Sequence, residues 1–195
     1  MVKHQPQQNH YNNLFDLKNR VSIVTGAGHL GSEIAKALSD FGSSVFVLTR
    51  NPVNYADLSK YGNITLMECD VTDENKFYKC VTEITDSLVN IDILVNNAFS
   101  ENREDILNVT RHDWESGLNT MLSHVFFCSR IVLPNMLKRG SGSIINMSSI
   151  YGVVGHDQSV FQEVKSSSVM YSVAKGGVLQ LTRRLATEYA SQGIR

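Results

Sequence analysis

The feature that most constrains the fold is a regular alternation of short apolar segments with longer segments of helical periodicity. Five apolar segments, rich in β-branched residues, predict strands: RVSIVTG, SVFVLTR, NITLMECD, IDILVNNA and GSIINMSS. Segments with helical spacing separate them. The strands are apolar on both faces, which is typical of a parallel sheet covered by helices. Strict β–α–β alternation therefore predicts an α/β domain with a doubly wound, mostly parallel sheet.

Capping and stop residues place the helices between these strands. One helix is predicted over GSEIAKALSDFG, ending at Gly42, and another begins at Pro52 and ends at Gly62. The next is capped by Thr72 or Asp73. Two longer helices are predicted at about 113–138 and about 169–191.

Length and composition bound the class of protein. The chain has 195 residues, 42% hydrophobic and 19% charged, which suits a single domain over 14–195 behind a polar, flexible tail at 1–13. A net charge of −1 gives no reason to expect nucleic acid or an anionic membrane as a partner. No apolar run has the length of a membrane span, and the N-terminus lacks a signal-peptide core, so a soluble cytoplasmic protein is expected. The cysteines and histidines show no metal-ligand spacing, and no metal is assigned.

A glycine-rich turn joins the first predicted strand to the first predicted helix. In TGAGHLG, Gly26, Gly28 and Gly31 form G-x-G-x-x-G. The first glycine permits a tight turn, the second lets a pyrophosphate approach the backbone, and the third lets helix and strand pack closely. Helix N-terminal amides then attract the phosphates. With a strand before it and a helix after it, this turn predicts a dinucleotide-binding Rossmann fold.

The end of the second predicted strand bears on which dinucleotide is bound. NAD-binding folds place a carboxylate there, against the ribose 2′-hydroxyl. This chain has Thr49 followed by Arg50 instead. A guanidinium matches the oxygens of a 2′-phosphate. The expected cofactor is therefore NADP(H), with NAD(H) as the second choice.

The motifs TGAGHLG, CDV, NNA, NMSSIYG and YSVAK occur in this order, and with them the chain resembles the short-chain dehydrogenase/reductase family over roughly Leu14 to Arg195. The resemblance implies an NAD(P)-dependent enzyme that interconverts a secondary alcohol and a ketone. It also implies the catalytic residues. These are Ser149 (with Ser148 as the alternate), Tyr171, Lys175 and Asn119, an asparagine that helps to hold a water linking the lysine to solvent.

The same resemblance assigns cofactor contacts. Asp70 and Val71 match the pair that contacts the adenine, and Asn97 and Ala98 match a segment that passes the adenine ribose, where Asn96 is in part structural. The residues expected to bind the cofactor are Gly26, Gly28, His29, Leu30, Gly31, Arg50, Asp70, Val71, Asn97, Ala98, Tyr171 and Lys175.

The spacing of Tyr171 and Lys175 suits proton transfer. Positions i and i+4 of a helix share a face, so the two side chains are expected to lie side by side. A tyrosine of ordinary pKa, near ~10, is a poor base at neutral pH. A nearby ammonium and an oxidised nicotinamide favour its phenolate form. Ser149 would donate to the substrate oxygen and align it.

Three features depart from the family's usual pattern. The glycine turn is one residue shorter, and Phe99 follows NNA where glycine is usual, which puts a large ring near the cofactor or substrate. Tyr171 follows Ser149 by 22 residues, a wider spacing than usual. The longer segment resembles members that act on sugars or polyols. There Gln158, Gln162 and Glu163 could hydrogen-bond hydroxyls, with a solvated loop as the alternative.

Two other functions stay open at this point: a non-catalytic nucleotide-binding protein, and a nucleotide-sugar epimerase or dehydratase that shares Y-x-x-x-K. The resemblance implies a small-molecule substrate and homodimers or homotetramers formed through the two longest predicted helices. It also implies a protein of about 250 residues that continues past Arg195, so that SIINMS becomes a bare sheet edge here. The alternative is a natural short chain whose edge a partner covers.

Overall fold

A computed structural model describes residues 14–88, 90–100, 105–157 and 168–195. Within these residues five strands form one parallel sheet in the order β3-β2-β1-β4-β5. The strands are β1 (Val21–Thr25), β2 (Ser44–Thr49), β3 (Ile64–Glu68), β4 (Ile93–Asn96) and β5 (Ser143–Asn146). The order reverses between β1 and β4, which is the switch point of a doubly wound sheet. The prediction of a doubly wound parallel α/β fold is confirmed.

Helices cover both faces of the sheet. They are α1 (His29–Asp40), α2 (Glu74–Leu88), α3 (Arg111–Leu118), α4 (His124–Arg139) and α5 (Val169–Tyr189). Alternate residues of β1 show the two layers. Ile23 packs in a core with residues of α2 and α4, whereas Val24 packs in a separate core with Ala35 of α1. A strand buried on both faces needs apolar residues on both sides, which explains why Val21, Ile23 and Val24 are all apolar.

The helical segments on either side of β3 compare differently with their predictions. Asp73 caps α2, because its Oδ1 accepts backbone N–H bonds from Asn75 at 3.0 Å and Lys76 at 3.1 Å, as expected of one of the two candidate caps. The segment after Pro52 is a 3₁₀ helix (Pro52–Lys60) rather than an α-helix, with non-helical backbone at Tyr55. Short 3₁₀ pieces of this kind serve as connectors, and this one turns the Tyr55 ring towards the carboxyl edge of the sheet.

The predicted helix at 113–138 is interrupted. A π-helical turn, Asn119–Ser123, separates α3 from α4. The Thr120 hydroxyl donates to the Gly117 carbonyl at 3.1 Å, which competes with the regular helical bond to that oxygen. Single π turns inside helices often mark functional positions.

The expectation of a bare edge at β5 needs correction at the start of the strand. Gly193 to Arg195 run beside it, with hydrogen bonds from Gly142 N to Gly193 O (3.3 Å), from Arg195 N to Gly142 O (3.1 Å) and from Ile144 N to Arg195 O (2.8 Å). The backbone of the last residues therefore pairs with the first half of this edge. Ile145, farther along, is 44% exposed. Within the described parts of the chain, no helix is long and apolar enough to cross a membrane.

Candidate active site

The glycine turn lies between β1 and α1, pressed against the end of β4. Gly26 has a φ of +79°, which favours glycine, and a side chain there would put a Cβ 2.9 Å from the Cα of Ala98. A Cβ on Gly31 would clash with the carbonyl oxygen of Gly26 and lie 2.7 Å from Asn97 Nδ2. By contrast, a Cβ on Gly28 would meet nothing within 4 Å. The turn is therefore closely packed where Gly26 and Gly31 face the end of β4, and open where Gly28 faces solvent.

Asn97 holds this turn against the sheet. Its Nδ2 donates to the carbonyl oxygens of Thr25 at 3.0 Å and Gly26 at 3.1 Å. The Thr25 hydroxyl accepts from the backbone N–H groups of Asn97 at 3.0 Å and Ala98 at 3.1 Å. The amide donors of Asn97 are thus used inside the protein, so its supporting role is structural.

A cleft of about 470 Å³ opens in front of the turn. Every residue expected to bind the cofactor, apart from Tyr171 and Lys175, lines this cleft. Further lining residues are Ala27, Leu48, Thr49, Tyr55, Cys69, Thr72, Phe99, Ser100 and Thr120. The cleft begins at the N-terminus of α1, where Gly28 supplies no side-chain cap, so the first amides of the helix face the open space.

Arg50 and Asp70 place opposite charges at one end of the cleft. Oδ1 of Asp70 accepts from the Thr72 hydroxyl at 2.7 Å and from the Thr72 backbone N–H at 3.0 Å. Partial burial by itself would raise the pKa of Asp70. The two bonds from Thr72, together with the nearby charges of Arg50 and Lys76, outweigh burial and lower that pKa. Asp70 is therefore a carboxylate at neutral pH.

Tyr171 and Lys175 lie side by side near the start of α5. Lys175 is 5% exposed, and its Nζ donates to the Met147 carbonyl, just beyond β5, at 2.6 Å. The same Nζ lies 5.7 Å from the centroid of the Tyr171 ring and 5.6 Å from that of Phe99. Burial lowers the pKa of Lys175. The geometry thus puts a buried amine next to a phenol, and Phe99, which lines the cleft, contacts both of them.

The two serines after β5 have different partners. The Ser148 hydroxyl donates to the carbonyl oxygen of Lys175 at 2.9 Å. The Ser149 oxygen accepts from the backbone N–H of Tyr151 at 3.2 Å, at the start of a 3₁₀ turn (Ile150–Gly152). The hydroxyl proton of Ser148 is therefore already donated to the backbone of α5. The Ser149 hydroxyl accepts here and still has its proton to donate; its catalytic role stays a prediction.

Asn119 occupies the first position of the π turn with an exposed side chain. No hydrogen bond joins its amide to Lys175 among the residues that the structure describes. Met121, two residues on, is fully buried and packs with Met170 and Ala174 of α5. The role of Asn119 stays a prediction. Gln158, Gln162 and Glu163 lie outside the described residues.

Several residues of the site carried no signal in the sequence. Tyr55 lines the cleft and has a non-helical backbone inside the 3₁₀ segment. Thr120 lines it as well, and its one hydroxyl proton is shared between the Gly117 carbonyl and the Ser100 carbonyl, each 3.1 Å away. His124, the first residue of α4, is 1% exposed, and burial and the charge of Lys175 lower its pKa. Their positions depend on the packing of segments that are distant in the chain.

Comparison with known proteins agrees with this geometry. The family model for short chain dehydrogenases matches residues 20–195. The chain is 30% identical over 182 residues to the 3-oxoacyl-(acyl-carrier-protein) reductase of Vibrio harveyi, covering 92% of this chain and 71% of that protein. It is 29% identical over 188 residues to the gluconate 5-dehydrogenase of Gluconobacter oxydans, covering 93% and 70%.

Solved structures show the same likeness. A protein from Sinorhizobium meliloti, assigned as a short-chain alcohol dehydrogenase, superimposes with a TM-score of 0.82 at 33% identity, covering 93% of this chain and 71% of that one. A short-chain dehydrogenase from Streptomyces avermitilis has a TM-score of 0.81 at 28% identity, covering 90% and 62%. With its cleft at the switch point and its Tyr171–Lys175 pair, the chain belongs to the short-chain dehydrogenase/reductase family of NAD(P)-dependent oxidoreductases.

Proposed function

We propose that this protein transfers a hydride between NADP(H) and a secondary alcohol or ketone. The observation that carries the proposal is the buried Lys175 ammonium beside the Tyr171 ring, both in contact with Phe99, which lines the cleft in front of the glycine turn. A protein that only binds a nucleotide and catalyses no reaction would not need a buried amine at this place, because burying a charge is costly.

The residues of the cleft suit a dinucleotide. The N-terminal amides of α1, left open in front of Gly28, would hold the pyrophosphate. Arg50 would pair with a 2′-phosphate. Asp70 has its Oδ1 bound to Thr72 and has its other oxygen for an adenine amine. The bound cofactor supplies or accepts the hydride.

The catalytic residues would transfer the proton and hydrogen-bond the substrate oxygen. In the reducing direction Tyr171 gives its hydroxyl proton to the alkoxide oxygen that forms from the ketone, and in the reverse direction the phenolate takes that proton back. Lys175 stabilises the phenolate by its positive charge. Met147 uses one N–H of the ammonium, which leaves two for other acceptors. Ser149 donates to the same substrate oxygen and holds it near the phenol.

Tyr171→Phe tests the assignment of the proton donor. We expect turnover to fall by at least ~100-fold, a usual size for a lost general acid, while the affinity for NADPH, followed by its fluorescence, stays within about twofold. The ring contacts with Phe99 and Lys175 are kept in this variant. Normal turnover of the phenylalanine variant on a carbonyl substrate would refute the mechanism.

Arg50→Ala tests the cofactor preference. Loss of a charge-assisted contact to the 2′-phosphate should weaken NADPH binding by roughly tenfold or more and leave NADH binding unchanged. Arg111 is a matched control, because its side chain is 89% exposed on α3 and lies outside the cleft. Equal losses for NADPH and NADH in Arg50→Ala would contradict the preference for NADP(H).

We also propose that the chain forms homodimers or homotetramers through the outer faces of α4 and α5. Phe126 of α4 is 43% exposed and lies under the guanidinium of Arg130, 5.9 Å from its ring centroid. Exposed aromatic and arginine side chains are common at protein interfaces. Sedimentation of wild type and of Phe126→Asp should show a loss of the oligomer in the variant. A monomeric wild type would contradict this part of the proposal.

A further inference from the structure

Phe99 stands between the cofactor cleft and the catalytic pair. Its side chain lines the cleft and is 58% exposed. The ring centroid lies 6.3 Å from that of Tyr171 and 5.6 Å from Lys175 Nζ. Its neighbours along this wall, Ala98 and Ser100, are small. A substrate whose reacting carbon lies beside Tyr171 would therefore have the Phe99 ring as a neighbour.

The inner side of this ring is held in place. It meets the Tyr171 ring edge-on, with an interplanar angle of 62°, which is a favourable arrangement for two aromatic rings. The Lys175 ammonium, within cation–π distance, is itself tied to Met147 O. The outer side of the ring is left open. The result is a flat apolar surface that stands at a defined place beside the phenol.

The segment that follows Ser149 also exposes apolar side chains. Ile150, Val153 and Val154, which follow Ser149, are 70%, 74% and 49% exposed. This segment sits against α5, because a Cβ on Gly152 would lie 2.7 Å from the carbonyl carbon of Lys175. Exposed large apolar side chains that gather at one place mark binding sites. Among the described residues, Phe99 beside Tyr171 and this segment beside Lys175 thus offer contact area to an apolar group.

Resting on the proposed function, we infer that Phe99 is a specificity-determining residue. Its ring forms a wall beside Tyr171 that selects alcohols and ketones with a flat, apolar group, such as an aryl ring, next to the reacting carbon. An aryl group would gain by leaving water and by stacking on Phe99. A polyol would have to turn hydroxyls towards this ring, where they lose their hydrogen bonds to water.

The test compares an aryl methyl ketone with dihydroxyacetone as substrates of the 195-residue chain with NADPH. We expect wild type to prefer the aryl ketone in kcat/KM by at least tenfold, the size of discrimination that an apolar pocket provides. Phe99→Ala should lower this preference roughly tenfold, mainly through the KM of the aryl ketone, and Phe99→Leu should lie between the two. Phe41→Leu, a half-exposed phenylalanine at the far end of α1, should behave as wild type. Thermal melts establish that each variant is folded.

Binding of the matching aryl alcohol to the NADP-loaded chain, measured by calorimetry, separates the inference from the proposed function. Binding that weakens in Phe99→Ala without any turnover in wild type would refute hydride transfer and support the role of Phe99. Turnover with a preference for dihydroxyacetone, or an aryl preference that Phe99→Ala leaves unchanged, would overturn the inference and leave the proposed function standing. No turnover and no aryl binding would overturn both.

Discussion

His124 should make the folded chain lose stability in mild acid. The residue begins α4, directly after the π turn, and is 1% exposed. Burial and the charge of Lys175 lower its pKa from an ordinary 6.5 to about 4, although the carbonyl oxygens of Asn119 and Ala98 nearby act in the opposite direction. Neither ring nitrogen has a well-formed hydrogen bond in the described structure. The imidazole is therefore neutral in the folded protein at neutral pH.

The size of the effect follows from the two pKa values. Because the folded pKa is lower than the unfolded one, the unfolded chain binds more protons between them. The stabilisation is complete above the unfolded value of 6.5 and is lost as the pH falls towards about 4. Each unit of pKa difference corresponds to ~1.36 kcal/mol, so the limiting loss is about 3 kcal/mol. Between pH 7.5 and pH 5 the expected loss is about 2 kcal/mol, or about 4–8 °C in Tm for a chain of this size.

Urea unfolding at these two pH values, for wild type and His124→Leu, measures the effect. Leucine does not titrate and leaves no unpaired polar atom, so the variant should lack this pH-dependent part of its stability. His112→Gln is the matched control, because His112 is exposed on α3. Titration of the His124 ring by NMR in the wild type checks the same claim without a variant. Equal losses of stability in wild type and His124→Leu, or a ring that titrates near 6.5, would refute the reasoning.

Two further predictions concern the glycine turn and the buried carboxylate at the start of β4. Gly31→Ala should lower Tm and abolish NADPH binding, because its Cβ clashes with Gly26 O and crowds Asn97. Gly28→Ala should fold normally and bind NADPH more weakly, because its Cβ points into the open cleft. Equal losses of Tm in the two variants would contradict this prediction. Asp92→Asn should cost about 3 kcal/mol in urea unfolding, since this carboxylate, 7% exposed, pairs with two arginines. A loss below ~1 kcal/mol would show that the pairing is of the weak surface kind.

Much of the fold could be predicted because its signals are local. Strand and helix periodicity, Asp73 as a cap, and the glycines of the turn are all properties of short segments. The π turn at Asn119–Ser123 could not be predicted, because one added residue per turn barely disturbs the apolar pattern of a long helix. The 3₁₀ helix after Pro52 was missed for a similar reason, since its kink at Tyr55 is a property of the folded backbone.

In the site, too, some features can be predicted from the sequence and others appear only in the folded structure. Its residue types stand out in the sequence, but the difference between Ser148 and Ser149 appears only in the structure, where one hydroxyl is bound to the carbonyl of Lys175 and the other is not. The sequence predicts a large ring at Phe99 near the cofactor or substrate, but its distance of 6.3 Å from the Tyr171 ring, and the burial of His124 near Lys175, appear only in the structure.

The sequence by itself determined the alternating α/β order, the cofactor turn and the Tyr171–Lys175 spacing, because periodicity, turn chemistry and helix geometry act over a few residues. Only the tertiary structure decided which of these segments meet. The strand order β3-β2-β1-β4-β5 brings the ends of β1, β4 and β5 to one edge of the sheet. There Gly26 packs against Ala98, and Lys175 reaches Met147. Such contacts join residues far apart in the chain, and the packing of the whole sheet and its helices creates them.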